Sequence, residues 1–205
     1  MLALTACDSS GNNTDNDYNP PSALEDLDRE GFLVVSALGH SVTLGTSNDV
    51  ASVKERPSMK VNFTYDFSIG RHEVTCSEFR SLMPGVDVSD LCEKDLTPVA
   101  GITYYDAILY ANERSKSEKY DTAYVYSSAT FNSEGNCVGM DGFSYRPEVS
   151  AYRLPTEAEW MLVAAKDWNP DEGWNAKNSD YRTHEVCSRN VGESGVCDME
   201  GNVKE

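Results

Sequence analysis

Apolar residues in the first third of the chain occur in short segments. Phe32–Val35 and Ser41–Leu44 are rich in β-branched or aromatic residues and lie on either side of Gly39, which predicts two short strands. A third strand is predicted over Met59–Ile69, because every second residue there is apolar or aromatic and would lie on one face. The residues on that face are Val61, Phe63, Tyr65 and Phe67.

Three helix starts share one signature, the capping box. A threonine hydroxyl and an acidic residue three positions later each accept a hydrogen bond from an otherwise unpaired backbone N–H group. The first helix is expected to end near Met83, and Tyr104, Tyr105 and Tyr110 are expected to pack the second against the core. The boxes are Thr75 with Glu78, Thr103 with Asp106, and Thr156 with Glu159.

Long polar segments lie between and after these helices. Residues 115–150 and 166–196 contain Gly, Asn, Asp and aromatic residues but little periodicity, so we predict loops. Loops of this length in a compact domain usually carry function or need bracing. Short strands, few helices and long loops together predict an α+β fold.

Charge narrows the classes of partner. The chain has 17 Lys and Arg against 34 Asp and Glu, a formal net charge of −17. Nucleic acid binding needs clusters of basic residues, so this composition argues against it. Acidic side chains instead favour divalent cations. No run of 18 apolar residues is present.

The N-terminus is similar to that of bacterial lipoprotein precursors. Leu4-Thr5-Ala6-Cys7 fits a lipobox, in which the cysteine is acylated, and residues 8–31 are mostly polar and predict a disordered tether. We therefore predict a partial signal over 1–7, the tether over 8–31 and a folded domain over 32–205. The protein would be extracytoplasmic, held to the bacterial envelope membrane by lipid on Cys7. Only six residues precede Cys7, so either the signal begins upstream or the cysteine is incidental.

The other five cysteines fit an exported domain. They include no C-x-x-C pair, and with three histidines in the chain a zinc site is unlikely on spacing alone. In an oxidising compartment the default is disulfides. The pairs closest in sequence are Cys76 with Cys92 and Cys187 with Cys197, which would leave Cys137 over, but sequence alone leaves the pairing open.

Residues 152–160 read YRLPTEAEW. This segment resembles the RLPTEAEW signature of the formylglycine-generating enzyme family, also called the sulfatase-modifying factor family. The resemblance implies the formylglycine-generating-enzyme-like fold, which is related to that of C-type lectins. Four further blocks resemble the family in the same order: 44–46, 67–75, 97–107 and 195–205.

The signature residues have structural interpretations. Thr156 and Glu159 cap a helix, Arg153 is expected to be a buried ion-pair anchor, and Trp160 lies at helical spacing for the core. We assign no catalytic role to them.

The final block poses a metal question. Position by position, the resemblance implies calcium held by the Asp198 side chain, the Gly201 and Val203 carbonyls, and Glu205. Oxygen ligands around a Gly-bent turn suit this hard cation. The alternative is a solvated acidic turn. Lys204 stands where the family has tryptophan.

The resemblance also implies copper- and dioxygen-dependent oxidation of a substrate cysteine to formylglycine. The family uses two cysteines after the final block, and soft Cu(I) prefers such thiolates. This chain ends at Glu205, while Cys187 and Cys197 precede the block. We therefore expect this chain to be inactive, with copper bound only in a complete parent domain.

Two function classes remain at this stage. The first is a lipid-anchored envelope protein with a formylglycine-generating-enzyme-type domain, whose parent oxidises cysteine in a sulfatase-type protein. The second is a non-catalytic, C-type-lectin-like surface module that binds glycan or protein. Neither class requires nucleic acid.

Overall fold

The computed structural model describes the backbone of residues 5–7 and, with side chains, residues 30–166, 168–169, 171–189, 191 and 193–203. Within them each predicted capping box begins an α-helix, because the threonine hydroxyl accepts the backbone N–H of its acidic partner. A further capping box, Ser52 with Glu55, begins a 3₁₀ turn at Val53–Glu55 that we did not predict. The helices are α1 (Cys76–Leu82), α2 (Tyr104–Ser117) and α3 (Glu157–Ala164).

Ten short strands form four antiparallel sheets within the described residues. The largest has the order β10-β1-β5-β2, and the other three are two-stranded: β3-β4, β6-β9 and β7-β8. The strands are β1 (Thr5–Cys7), β2 (Phe32–Val35), β3 (Ser41–Leu44), β4 (Met59–Asn62), β5 (Phe67–Gly70), β6 (Tyr124–Val125), β7 (Ser128–Phe131), β8 (Cys137–Asp141), β9 (Ser144–Tyr145) and β10 (Tyr152–Arg153).

The four-stranded sheet lies between two hydrophobic cores. Opposite neighbours in antiparallel strands share a face, and successive residues alternate between faces. Leu33 pairs with Ile69, and both belong to the core that α3 covers. Phe32 and Tyr152 belong to the other core, which packs on α1 and α2, and their rings are 5.4 Å apart. Both faces of the sheet are therefore buried.

The predicted strand over Met59–Ile69 is wrong as a single element. It forms β4 and β5, which pair with different strands, and the chain changes sheets between Asn62 and Phe67. The predicted face is still meaningful, because Phe63 and Phe67 are buried in the α3 core and Val61 and Tyr65 pack against it. Alternation predicted the burial but could not reveal the break.

The polar segment 115–150 is also more ordered than predicted. It contains β6 to β9, which pair as two small antiparallel sheets. Most residues of these strands are exposed or half-buried. Without one consistently buried face, a strand leaves no apolar alternation in the sequence.

Two disulfides brace the loops. Cys76–Cys92 joins the start of α1 to the following loop, and Cys187–Cys197 closes a loop before the final turn. Cys137 is a free thiol that is fully buried on β8. The two disulfides join the cysteines that are closest in sequence, and Cys137 is the cysteine that this pairing leaves over.

Candidate functional site

A buried ion pair fixes the start of α3. Arg153 is 3% exposed and Glu159 is 0% exposed, and the guanidinium donates two parallel hydrogen bonds to the carboxylate, of 2.8 and 2.5 Å. Glu159 also accepts hydrogen bonds from the Thr156 backbone N–H and the Tyr65 hydroxyl. Burial alone would raise the pKa of Glu159, but Arg153 and Thr156 more than offset it and hold the pKa below its usual value.

A second buried carboxylate, Asp198, has much weaker support. It is 5% exposed, and its Oδ2 accepts a 2.7 Å hydrogen bond from the Cys187 backbone N–H. Burial raises the pKa of Asp198, and the Cys187 amide and the charge of His72 offset this only in part. Within the described residues, the Asp198 carboxylate thus accepts one hydrogen bond and forms no salt bridge.

The turn after Asp198 is tied to distant parts of the chain. The buried Glu73 carboxylate accepts hydrogen bonds from the Asn202 amide (2.9 Å) and the Val203 backbone N–H (3.1 Å). Asn202 also exchanges two hydrogen bonds with the His184 backbone. Glu73 therefore has an architectural contact, and it is one that the sequence did not reveal.

The same turn packs tightly against an aromatic cluster. The Trp174 carbonyl accepts the Asn202 N–H, and a Cβ on Gly201 would lie 2.0 Å from that carbonyl oxygen. The Trp174 ring stacks on His184 at 3.6 Å, and the Arg189 guanidinium lies 4.3 Å from the Trp174 ring centroid. Only glycine fits this approach at position 201.

A groove of about 1010 Å³ opens between these supports. Residues 99–104, 154–157 and 199–201 line it, together with Ala107, Trp160, Trp168 and Val203. Trp160 and Trp168 meet edge to face at 5.9 Å, and Trp168 is 55% exposed. Tyr104 is 61% exposed at the rim, so our expectation that it packs into the core is wrong, although Tyr110 is fully buried.

The family match agrees with these contacts. The profile of the FGE-sulfatase family, described as the sulfatase-modifying factor enzyme 1-like domain, matches residues 28–205. The chain belongs to this family. The four-block resemblance and the predicted fold are thereby confirmed, and the groove lies between three segments of the sulfatase-modifying-factor domain.

One curated relative resembles this chain in sequence. The Chaperone protein LppX of Paenibacillus barcinonensis is 30% identical over 173 residues, which cover 68% of this chain and 61% of that protein. The chain therefore spans less than two thirds of that relative's length.

Two solved structures resemble the chain. Treponema denticola variable protein 1 has a TM-score of 0.65 at 21% identity, covering 84% of this chain and 70% of its own. CarF has a TM-score of 0.50 at 21% identity, covering 78% and 76%. At this identity the likeness shows the fold of the sulfatase-modifying-factor domain and nothing finer.

The family resemblance implies two metals, calcium and copper, and the described residues fit calcium better than copper. No group of three or more His, Cys, Asp or Glu side chains converges among them. A calcium ion finds one carboxylate, Asp198, beside the Gly201–Val203 turn, while Glu205 lies outside the described residues. A copper ion needs a thiolate pair, but the four cysteines of the disulfides are oxidised and Cys137 is buried on its own. Among these side chains copper does not fit.

The predicted site residues do not form one cluster. Thr156, Trp160, Gly201 and Val203 line the groove, whereas Arg153, Glu159 and Asp198 are buried and do not line it. The sequence missed Trp168, whose signal was a large apolar residue in a polar segment. Cys7 lies in β1 beside Phe67 in β5. No described helix is long and apolar enough to cross a bilayer.

Proposed function

We propose that this protein is an exported, lipid-anchored binding protein whose sulfatase-modifying-factor domain holds an extended polypeptide segment in the groove. The observation that carries the proposal is the groove itself. It is open, mostly apolar and aromatic, and the described residues that line it include no cysteine or histidine. Such a surface suits recognition by packing.

Polypeptide fits the groove better than glycan. Trp168 and Tyr104 offer exposed aromatic faces, and Ile102, Leu154 and Met199 supply aliphatic surface. A relative that bears the name chaperone supports a polypeptide partner. The net charge of −17 further favours partners with basic residues.

The proposed location rests on three observations. Two disulfides suit an oxidising compartment. Leu4–Cys7 fits a lipobox. The relative LppX is consistent with a lipoprotein. Replacing Cys7 with serine should move the protein from membranes to the soluble fraction, whereas unchanged partitioning would refute the anchor. One acyl chain binds only marginally, so the anchor needs several.

Calcium completes the proposal as a structural ion. Asp198 would supply a carboxylate oxygen, with the Gly201 and Val203 carbonyls and Glu205 as the further oxygens that the family resemblance implies. Asp198 is buried with a single hydrogen bond, from the Cys187 N–H, which offsets its burial only in part, and this supports a cation there.

Binding can be measured by fluorescence anisotropy with a labelled, permanently unfolded polypeptide. Trp168→Ala and Tyr104→Ala each remove an exposed aromatic face, and each should weaken binding by about tenfold, the usual loss for a central aromatic contact. Tyr181→Ala is the matched control, because Tyr181 is 90% exposed and does not line the groove. Equal affinity for all four proteins would refute the groove.

The same preparation tests the other function classes. Glycan binding that depends on Trp168, without polypeptide binding, would favour a lectin-like module. Aldehyde formed on a sulfatase-type cysteine peptide with copper and dioxygen would favour the oxidase. We expect no aldehyde from this chain, because the described residues offer no pair of free thiols.

A further inference from the structure

The two disulfides differ in how far solvent reaches them. Cys76 and Cys92 are 0% and 4% exposed and both belong to the core that packs on α1 and α2. In the second disulfide Cys197 is 3% exposed, whereas Cys187 is exposed. An external thiolate must reach a sulfur atom to break a disulfide, so access governs exchange. The Cys187–Cys197 disulfide is therefore the more accessible of the two.

The buried half of this disulfide is anchored where the groove wall begins. The Cys197 N–H donates a 2.7 Å hydrogen bond to the carbonyl of Arg71, the residue directly after β5. Asp198 follows, and residues 199–201 and 203 then line the groove. The segment 198–203, which we call the groove wall, thus starts from a fixed point.

The exposed half reaches the groove wall by two routes. The Cys187 N–H donates the 2.7 Å hydrogen bond that Asp198 accepts. The next residue, Ser188, accepts a 3.0 Å hydrogen bond from the Trp174 indole N–H. The Trp174 carbonyl in turn accepts the Asn202 N–H. The position of the Cys187 loop is therefore coupled to both ends of the groove wall.

The covalent link holds contacts that are individually weak. The Trp174–Ser188 hydrogen bond is exposed, so water competes with it. The disulfide closes a loop with a sequence separation of 10 and keeps Cys187 beside Asp198. Without that link the loop can leave, and hydrogen bonds of small net worth allow the wall to open locally.

We propose that the Cys187–Cys197 disulfide is a redox-sensitive clamp, which a dithiol opens, and that opening loosens the groove wall. The consequence for ligand affinity rests on the polypeptide binding proposed above, whereas the clamp itself does not. Redox changes at a disulfide act as switches when they release a segment with two arrangements.

The chemistry of opening is thiol–disulfide exchange. One thiolate of the dithiol attacks the Cys187 sulfur, forming a mixed disulfide, and the Cys197 sulfur leaves as a thiolate. The second thiolate of the dithiol then displaces the Cys187 sulfur from the mixed disulfide. The dithiol loses two electrons and becomes a disulfide, and its two protons end on Cys187 and Cys197.

Thiol trapping tests whether the clamp opens selectively. The folded protein is treated with dithiothreitol, quenched with an alkylating reagent at successive times and mapped by mass spectrometry. Cys187 and Cys197 should be alkylated at least about tenfold faster than Cys76 and Cys92. The buried free thiol of Cys137 is an internal monitor of unfolding and should stay unmodified. Equal rates for the two disulfides, or reaction of Cys137 together with the clamp, would overturn the proposal.

Hydrogen exchange then tests whether the clamp holds the wall. Amides of 198–203 should exchange at least about tenfold faster in the reduced, alkylated protein than in the oxidised protein, while 108–112 in α2 stays protected. The double variant Cys187→Ser with Cys197→Ser should reproduce this result without an alkyl group. If that variant is unfolded, the chemically reduced protein decides. Unchanged exchange at 198–203 would overturn the clamp.

The clamp and the proposed function can fail separately. Reduction should weaken binding of the labelled unfolded polypeptide by at least about threefold in the anisotropy measurement, because four residues of the wall line the groove. Absence of binding to the oxidised protein would refute the proposed function, and trapping and exchange would then decide the clamp. Equal binding by oxidised and reduced protein would overturn the control of the groove by the clamp.

Discussion

The start of α3 and the turn at 198–203 each bury one carboxylate beside the same groove, but they treat it differently. Glu159 meets a guanidinium, a backbone N–H and a tyrosine hydroxyl, so its pKa falls. Asp198 meets a single backbone N–H and its pKa rises. Burial is common to both, so the difference lies in the partners. A buried acid with a full set of partners is architectural, whereas Asp198, which lacks a cationic partner among the described residues, is where we propose that calcium binds.

The largest test of this contrast removes the cation from Glu159. Arg153→Met leaves a buried carboxylate without its ion-pair partner and should cost about 3–5 kcal/mol of unfolding free energy in chemical denaturation. Lys94→Ala is the control, because its pair with Glu185 is exposed and should contribute at most about 1 kcal/mol. Similar losses in the two variants would mean that burial does not govern the Arg153 pair.

The next test supplies a cation to Asp198. Calcium at a hundredfold excess over Kd should stabilise the folded protein by about 2.7 kcal/mol, and chelator should reverse the effect. Asp198→Asn should abolish the response while keeping an acceptor for the Cys187 N–H. The measurement belongs on this chain and on one extended past Glu205, since a chain end frays readily. If the extended protein has the same melting temperature in calcium and in chelator, Asp198 is a buried acid that does not bind calcium.

A smaller test compares two capping boxes. Thr156→Ala removes the hydroxyl that accepts the Glu159 backbone N–H and should cost about 1 kcal/mol. Ser52→Ala removes the corresponding group from an exposed turn, where water can replace it, so its cost should be smaller. A larger loss at Ser52 would contradict the view that burial amplifies the cap at α3.

The smallest test uses pH without calcium. The lowered pKa of Glu159 gives stability that is present above its unfolded pKa of about 4.3 and is lost as pH falls through the folded value. The raised pKa of Asp198 has the opposite sign, so ionisation destabilises the fold at neutral pH. Asp198→Asn should therefore be more stable than the parent at pH 7, with a gain that disappears towards pH 4. A gain that persists at pH 4 would need another cause.

Local signals made the α3 region predictable. A capping box lies within four residues, so Thr156 and Glu159 could be read together and their helix was correctly placed. The two disulfides close short loops, and the nearest-neighbour pairs proved to be the pairs present. The family signature added the fold.

Long-range contacts made the rest unpredictable. The strand β1 pairs with residues of β10 more than 140 positions away, and its three residues resembled part of a lipobox, which predicts no structural role. The groove assembles three separate segments, and Trp168 joins it from a polar stretch. Neither periodicity nor spacing reports which segments meet.

The contact between Glu73 and the last described turn also sets an order of events during synthesis. The partners of this buried carboxylate lie 129 and 130 residues downstream. At about 5–20 residues per second, a ribosome needs about 6–26 s to supply them after Glu73 is made. Until then the nascent chain cannot close its interior around that charge, so this part of the core forms only after residues 202 and 203 have been made.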